Sequence, residues 1–279
     1  MNRLIERIWK SRKVTDGEGV KINRNIVGEN LTIFDPFLML DEIYSDNPED
    51  YIGGFPEHPH RGFETVTYML AGKMRHTDHL GNEGMLEPGG VQWMTAGRGV
   101  LHSEMPMQKS GQLHGFQIWI NLSSSEKMRD PDYQDIPKES IPVVKISKNS
   151  LVKTISGDLI LDGRQISGPV SGVNVEPDIF DVSIDNDSLV LPAKTEKSAL
   201  IYVYEGCVSV GDRNIQSQEM GLLSGGDCVV VSSEVTSRFL FLSAIPLKEP
   251  IASWGPFVMN TFDEVDKAIE DFKSGKFLE

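Results

Sequence analysis

Short runs in which apolar and polar residues alternate make up most of the chain, and they predict β-strands. The runs are separated by glycine, proline and asparagine, which favour turns. Many short strands at close spacing are typical of an all-β barrel or sandwich. The clearest runs are ETVTYML (64–70), GVQWMTA (90–96), HGFQIWINL (114–122), SALIYVYEG (198–206), DCVVVSS (227–233) and SRFLFLSAI (237–245).

The end of the chain carries a different pattern, which predicts a short helix. In TFDEVDKAIEDFKSGKF (261–277), Thr261 is followed three residues later by Glu264, the spacing of a capping box. Apolar residues then recur at helical spacing and a glycine ends the pattern: Val265, Ile269, Phe272 and Gly275.

The two halves of the chain resemble each other, which indicates a duplicated β-domain. In each half a strand ends at a glycine (Gly72, Gly206), and a double glycine (89–90, 225–226) precedes a later strand. A polar segment rich in Ser, Asp and Pro, residues 123–142, reads as a linker. We therefore expect a first domain over residues 1–125 and a second over residues 140–279 that ends in the helix.

Composition and charge narrow the class of protein. The 279 residues are 39% hydrophobic, enough for real cores, and carry a net charge of −14, which argues against direct nucleic-acid binding. No apolar run reaches the length of a membrane span, and the basic N-terminus lacks the apolar core of a secretory signal. We expect a cytoplasmic protein without membrane contact. Its two cysteines, Cys207 and Cys228, are predicted to be buried thiols without a bridge.

The chemistry is concentrated in the first half, where all six histidines lie between residues 58 and 114. His58 and His60 are two residues apart on a predicted strand, so they point to the same side at a spacing of about 6.6 Å. His102 and Glu104 repeat this arrangement on another strand. One such pair is often a coincidence, whereas two pairs on neighbouring strands predict a metal site of three imidazoles and one carboxylate.

Other polar residues near this cluster have open roles. Glu64 lies four residues after His60, so strand parity places it on the same face, either as a rival ligand or as an acceptor that holds an imidazole from outside the metal shell. His76 and His79 lie in a polar turn and are expected to be solvated. His114 precedes a strand and is a candidate for the lining of a cavity.

These motifs together resemble the pirin family of the cupin superfamily. The resemblance is carried by NIVGENLTIFDPFLMLDE (25–42), FPEHPHRGFETVTYML (55–70), HTDHLGNEG (76–84), QWMTAGRGVLHSEMP (92–106) and GPFVMNTFDEV (255–265). It implies two jelly-roll-like cupin β-barrels in tandem, with one metal ion per chain in the first barrel only. The family's ligand set falls on His58, His60, His102 and Glu104, and it leaves Glu64 outside the metal shell.

The resemblance also implies a function. The metal is expected to be Fe(II), and the activity that of a quercetin 2,3-dioxygenase, which acts on a flavonol and O2. Glu104 would then also be the general base. Candidates for an apolar wall against the flat substrate are Phe55, Trp93 and Met94, although alternation allows only one of Trp93 and Met94 to face the cavity. His114 is a further candidate for substrate contact. One alternative is a metal-dependent cofactor of transcription that acts through protein partners, of which the sequence identifies none. Another is a cupin isomerase that uses zinc as a Lewis acid.

Overall fold

The computed structural model describes residues 1–26, 28–161, 163–170 and 172–279, and it is almost entirely β-structure. Short 3-10 helices cover Gly28–Ile33, Pro48–Asp50 and Lys138–Ser140. The strands before residue 138 are β1 Ile5–Lys10, β2 Arg12–Asp16, β3 Val20–Arg24, β4 Phe37–Ser45, β5 Phe55–His60, β6 Phe63–Ala71, β7 Met74–Asp78, β8 Glu83–Leu86, β9 Val91–Thr95, β10 Val100–Pro106, β11 Leu113–Asn121 and β12 Asp132–Ile136.

The rest of the chain repeats this organisation and ends in the helix α1, Phe262–Lys273. Its strands are β13 Val143–Lys145, β14 Ser150–Ser156, β15 Asp158–Leu161, β16 Arg164–Ser167, β17 Asp178–Ile184, β18 Asp187–Pro192, β19 Ser198–Glu205, β20 Cys207–Val210, β21 Arg213–Gln216, β22 Glu219–Leu223, β23 Cys228–Ser233, β24 Ser237–Ala244, β25 Ala252–Trp254 and β26 Phe257–Met259.

The chain divides into two compact units. Compared with the predicted domains, the first residues of the chain belong to the second unit and the last residues belong to the first. The histidine unit consists of residues 12–138 and 247–279, and the second unit of residues 1–11 and 139–246. The predicted boundaries, 1–125 and 140–279, differ from this division at both ends of the chain. The reason is that β1 pairs with β22, and Ile5 of β1 joins the core of the second unit.

Each unit contains a seven-stranded and a four-stranded antiparallel sheet. In the histidine unit the strand orders are β12-β9-β6-β11-β4-β3-β2 and β5-β10-β7-β8. In the second unit they are β1-β22-β19-β24-β17-β14-β13 and β18-β23-β20-β21. The two orders correspond strand by strand, with β1 in the place that β12 takes in the histidine unit. The predicted all-β fold of two similar domains is therefore confirmed, and so is the internal repeat.

The polar segment 123–142 is more ordered than a linker. It contains β12, which pairs with β9 through Asp132↔Thr95 to Ile136↔Val91. A polar sequence is compatible with this strand because β12 is an edge strand in which only Ile136 is buried. The boundary between the units nevertheless falls within this segment, at residue 138.

The C-terminal segment belongs to the histidine unit and is tied to the turn after β5. Arg61 donates to an Asp271 carboxylate oxygen at 2.8 Å and to the Phe277 carbonyl at 3.0 Å. Gly62 has a positive φ, and a Cβ there would lie 2.0 Å from the Val258 carbonyl oxygen, so only glycine permits this approach. These contacts place β25, β26 and α1 beside the histidine strands.

The local predictions for the helix and the cysteines have different outcomes. Thr261 caps α1 and forms the predicted capping box with Glu264, and Gly275 follows the helix with a φ of 76°. Cys207 and Cys228 are free, as predicted, but both are only partly buried. No helix in the described ranges has the length and apolar character needed to cross a membrane. The cytoplasmic location stays a prediction.

Candidate metal centre

Three histidines converge where β5 and β10 pair. His58 and His60 lie on β5, and His102 on β10 is directly opposite His58 in the antiparallel register. Alternation along β5 places both of its imidazoles on one side, as predicted. The three ring centroids are 4.3 to 4.9 Å apart.

The donor atoms of these three imidazoles fit a metal ion. One ring nitrogen from each lies within 4.8 Å of the others, and the Nε2 atoms of His58 and His60 are 3.0 Å apart. The Nε2 of His102 is buried and has no hydrogen-bond partner among the described residues. Burial lowers the pKa of His60 and His102 well below the ordinary value, and the neighbouring imidazoles lower the pKa further. Both rings are therefore neutral at pH 7, which is the form that binds metals.

Glu104 lies on β10 near the cluster, but its carboxylate is not among the atoms that converge. The Thr67 hydroxyl lies 2.8 Å from Glu104 Oε1, and the Gln117 amide nitrogen lies 3.5 Å from Oε2. Both partners project from the opposite sheet, β6 and β11. The register of β10 against β5 shifts here, but the extra residue lies on β5, between Phe55 and His58, so His102 and Glu104 keep their alternation on β10. Its role as a fourth ligand is not tested by this geometry.

A cavity of about 420 Å³ opens beside the cluster and is lined by both sheets of the histidine unit. His58, His60 and Glu104 lie on its wall together with Thr67 and Gln117. The apolar part of the wall consists of Ile22, Met39, Ile43, Phe55, Pro56, Met74 and Trp119. This volume lies in the range of about 300–1,000 Å³ that is usual for small-molecule pockets.

Of the four residues predicted as candidates for substrate contact, the structure brings only Phe55 to this cavity. Trp93 and Met94 lie on β9, near the edge of the large sheet, and Met94 packs against Ala96 and Val100 instead. The His114 Nε2 lies 2.8 Å from a Glu42 carboxylate oxygen, outside the lining.

Glu64 does not hold an imidazole. The chain turns at residues 61–62, so Glu64 is on β6 rather than on the strand of His60, and the parity argument does not apply across that turn. Its Oε1 accepts a hydrogen bond of 2.7 Å from the Thr95 hydroxyl. Burial raises the pKa of Glu64 to about 7, although the Thr95 hydrogen bond lowers it.

His76, expected to be solvated, is instead buried behind His102. The Nδ1 atoms of the two rings are 3.4 Å apart, and His76 Nε2 lies 3.6 Å from an Asp78 carboxylate oxygen. The ring of His76 also stacks on Tyr133, with centroids 4.9 Å apart. His102 can therefore present Nε2 to an ion while its Nδ1–H donates to His76. The sequence His76-Thr77-Asp78 could have indicated that His76 pairs with Asp78, because residues 76 and 78 lie on the same face of a strand.

A second polar group on the cavity wall was not predicted from sequence. Arg24 on β3 binds Asp41 on β4 through three hydrogen bonds of 2.7 to 3.0 Å. It also donates to an Asp16 carboxylate oxygen at 2.7 Å. All three residues line the cavity. The sequence does not show that these three residues are neighbours, because they come together only through the pairing of β2, β3 and β4.

The comparisons with known proteins agree with this fold. The Pirin family model matches residues 19–120, and the Pirin C-terminal cupin domain model matches residues 179–278. A Pseudomonas aeruginosa protein named "Putative quercetin 2,3-dioxygenase" is 44% identical, covering 94% of this chain and 93% of its own length. Human pirin is 40% identical, covering 95% and 91%. A crystal structure of a quercetin 2,3-dioxygenase from Acinetobacter baumannii is 31% identical with a TM-score of 0.92, covering 99% of both chains.

Proposed function

The chain belongs to the pirin family of the cupin superfamily, and on that premise we propose that it is a metal-dependent flavonol dioxygenase of the quercetin 2,3-dioxygenase type. The observation that carries the proposal is the three-imidazole cluster, of which His58 and His60 lie on the wall of a largely apolar cavity of about 420 Å³. The Pseudomonas and Acinetobacter relatives are named as a putative quercetin 2,3-dioxygenase and a quercetin 2,3-dioxygenase, which supports the same reaction.

The proposed cofactor is one Fe(II) ion per chain, held by His58, His60 and His102, with Glu104 as a fourth ligand. Imidazole and carboxylate donors suit this ion, although the same ligands accept other divalent metals. When bound, the metal would supply Lewis acidity toward the oxygens of a flavonol and redox chemistry toward O2.

Glu104 is proposed to take the proton of the flavonol hydroxyl. It lies on the cavity wall, and its side chain is almost fully buried. The Thr67 hydroxyl and the Gln117 amide approach its two oxygens, which orients the carboxylate. A buried base with fixed neighbours is arranged to accept a proton from a substrate in the adjoining cavity.

The cavity wall is proposed to bind the flat rings of the substrate and to exclude water. Phe55 and Pro56 come from β5, immediately before the histidines, so the strand that positions the metal ligands also supplies apolar contact area. Trp119 also lines the cavity, and its ring centroid lies 5.2 Å from that of His60.

The direct test is metal analysis of protein purified without added metal, followed by oxygen uptake with quercetin under air. We expect about one equivalent of iron per chain and oxygen uptake that depends on quercetin. Metal binding without uptake would contradict the enzyme and would favour a regulatory role through protein partners. A zinc-loaded protein without uptake would favour an isomerase.

The role of Glu104 is tested separately by Glu104→Gln, which keeps size and an oxygen donor but removes charge and basicity. We expect only a modest fall in metal content, because three imidazoles remain, and a loss of turnover of about 10²–10⁴-fold. The matched control is Glu64→Gln, which changes another buried glutamate that does not line the cavity. A Glu104→Gln protein that oxidises quercetin at the parent rate would eliminate Glu104 as the base.

A further inference from the structure

The cavity has a second polar region besides the histidine cluster, formed by Asp16, Arg24 and Asp41. The guanidinium of Arg24 lies between the two carboxylates. Its Nη2 is 2.7 Å from Oδ2 of Asp41 and 2.7 Å from Oδ2 of Asp16, so these two oxygens are less than twice that distance apart. We call this group the guanidinium cluster.

The members of the guanidinium cluster lie at different depths. The side chain of Asp41 is 2% exposed, that of Arg24 is 23% exposed, and that of Asp16 is 50% exposed. The cluster therefore extends along the cavity wall from the interior to solvent. Burial raises the pKa of Asp41 to about 6, an effect that the hydrogen bonds of Arg24 oppose. Asp41 is consequently ionised at pH 7.

Two carboxylates around one guanidinium leave one excess negative charge on the cavity wall. Arg24 does not use up their capacity to accept hydrogen bonds. Asp41 Oδ1 receives one bond from Arg24, and Asp16 Oδ1 receives one from the Gly17 amide, so each oxygen retains a lone pair. A ligand that enters this region is favoured if it is uncharged and donates hydrogen bonds, whereas an anion is repelled.

The corresponding strands of the second unit, β14 and β17, also carry an ion pair, Lys153–Asp181 at 3.0 Å, but it alternates with core residues and so lies on the other face of the sheet. The strand of the second unit that corresponds to β4 is β17, and its interior-facing residues include Phe180 and Val182, both part of an apolar core. The middle of β17 therefore lines its core with apolar side chains, and the carboxylate at the start of the strand, Asp178, is paired with Lys197 at 2.8 Å. A buried carboxylate that faces a cavity and carries unused acceptor capacity instead suits recognition of a ligand.

We propose that Asp16 and Asp41 accept hydrogen bonds from phenolic hydroxyl groups of the substrate, so that the cavity selects flavonols with hydroxylated rings. This inference rests on the proposed function, since it assigns the second polar end of the same substrate. Apolar residues of the same cavity, such as Met39 and Ile43, contact the ring faces, and Arg24 holds the two carboxylates in position.

The test compares quercetin with 3-hydroxyflavone, which has the same three-ring core and 3-hydroxyl but no hydroxyl groups on its outer rings. Dissociation constants are measured by isothermal titration calorimetry under argon, on the protein as purified, so that binding is observed without turnover. Hydrogen bonds to charged acceptors predict that the parent binds quercetin at least about tenfold more tightly.

The variants are Asp16→Asn and Asp41→Asn, with Asp50→Asn as the matched control. Asp50 is also paired with a basic residue, Lys21, but lies outside the cavity lining. We expect both cavity variants to lose most of the preference for quercetin and to bind 3-hydroxyflavone within about twofold of the parent. Asp16 is half exposed, so Asp16→Asn keeps the test valid if Asp41→Asn fails to fold.

Equal affinity of the parent for the two flavonols would overturn the inference. So would an equal loss of affinity for both ligands in the cavity variants, which is what a purely structural ion pair predicts. The proposed function fails in a different way. Selective binding of quercetin without oxygen uptake would contradict the dioxygenase activity but support the role of the guanidinium cluster. Oxygen uptake without a preference for quercetin would support the dioxygenase activity but contradict the role of the guanidinium cluster.

Discussion

The two units have the same strand order, but polar side chains line the interior of one and apolar side chains fill the interior of the other. In the histidine unit, Thr67, Gln117 and Asp41 are registered neighbours across β6, β11 and β4, and all three face the cavity. The corresponding strands of the second unit, β19, β24 and β17, also carry a registered row that faces the interior, but it is entirely apolar: Ile201, Phe241 and Phe180.

The four-stranded sheets differ in the same way. Where β5 and β10 supply the three histidines, β18 and β23 supply four apolar core residues: Leu189, Leu191, Val229 and Val231. The same pattern of backbone hydrogen bonds therefore forms whether polar or apolar side chains occupy the interior of the unit. One copy has a well-packed core, and the other has a cavity with converging donors.

Removing a metal ligand is the most direct test of this difference between the two units. His102→Ala deletes the buried imidazole nitrogen that has no protein partner, so we expect metal content to fall to background. The control His114→Ala removes a histidine outside the cavity and should retain about one equivalent of metal. Both are measured by elemental analysis after purification without added metal. Full metal content in His102→Ala, or a second equivalent in the parent, would contradict a single site in the histidine unit.

The difference in packing predicts unequal costs for the same truncation. Phe241→Ala creates a void in the filled core of the second unit, where Phe241 is fully buried, and should lower the free energy of unfolding by about 3–5 kcal/mol. Phe55→Ala enlarges a cavity that already exists and should cost about 1 kcal/mol, because the lost area is partly exposed. Urea denaturation measures both. Equal costs would mean that the histidine unit is as sensitive to packing as its filled copy.

Local features of this fold were predictable from sequence. Alternation identified the strands, the spacing of Thr261 and Glu264 identified the helix start, and two glycine patterns identified the duplication. The convergence of His58, His60 and His102 also followed from strand parity. Each of these signals lies within a few neighbouring residues or in a repeated motif.

The features that were missed depend on pairing between distant segments. β1 joins the second unit through its edge pairing with β22, and nothing in its own sequence selects that partner. The turn at residues 61–62 moved Glu64 to another strand, and the cover provided by Tyr133 buried His76. A polar residue is buried or solvated according to what packs over it, which a single-sequence pattern does not contain.

A smaller effect is expected from His76, which lies outside the group of three converging imidazoles. His76→Phe keeps an aromatic ring against Tyr133 but removes the acceptor for His102 Nδ1–H. Loss of such a supporting hydrogen bond should weaken metal binding by about 10–100-fold. Competition with a chromophoric chelator measures the affinity without reference to activity. His76→Gln, which restores a polar side chain, should recover part of it, and parent affinity in His76→Phe would show that His102 needs no such support.

The units also differ in how they bury a lysine. Lys197 in the second unit lies 2.8 Å from an Asp178 carboxylate oxygen. Lys127 in the histidine unit contacts only uncharged oxygens, at 2.6 to 2.9 Å: Gly62 O, Asn121 Oδ1 and Val258 O. Burial lowers the pKa of Lys127 from 10.5 to about 7, and the carboxylates of Glu249 and Glu264 oppose this only in part.

This environment predicts a pH dependence that Lys127→Met should abolish. Between pH 7 and 10.5 the unfolded chain binds more protons at Lys127 than the folded chain does, so the free energy of unfolding of the parent rises with pH relative to the variant. The limiting slope is about 1.4 kcal/mol per pH unit. Urea denaturation at pH 7.5 and 8.5 should show the parent-minus-variant difference growing by about 1 kcal/mol. A difference that stays constant or shrinks over this interval would mean that the three oxygens retain the proton and stabilise Lys127 as a buried cation.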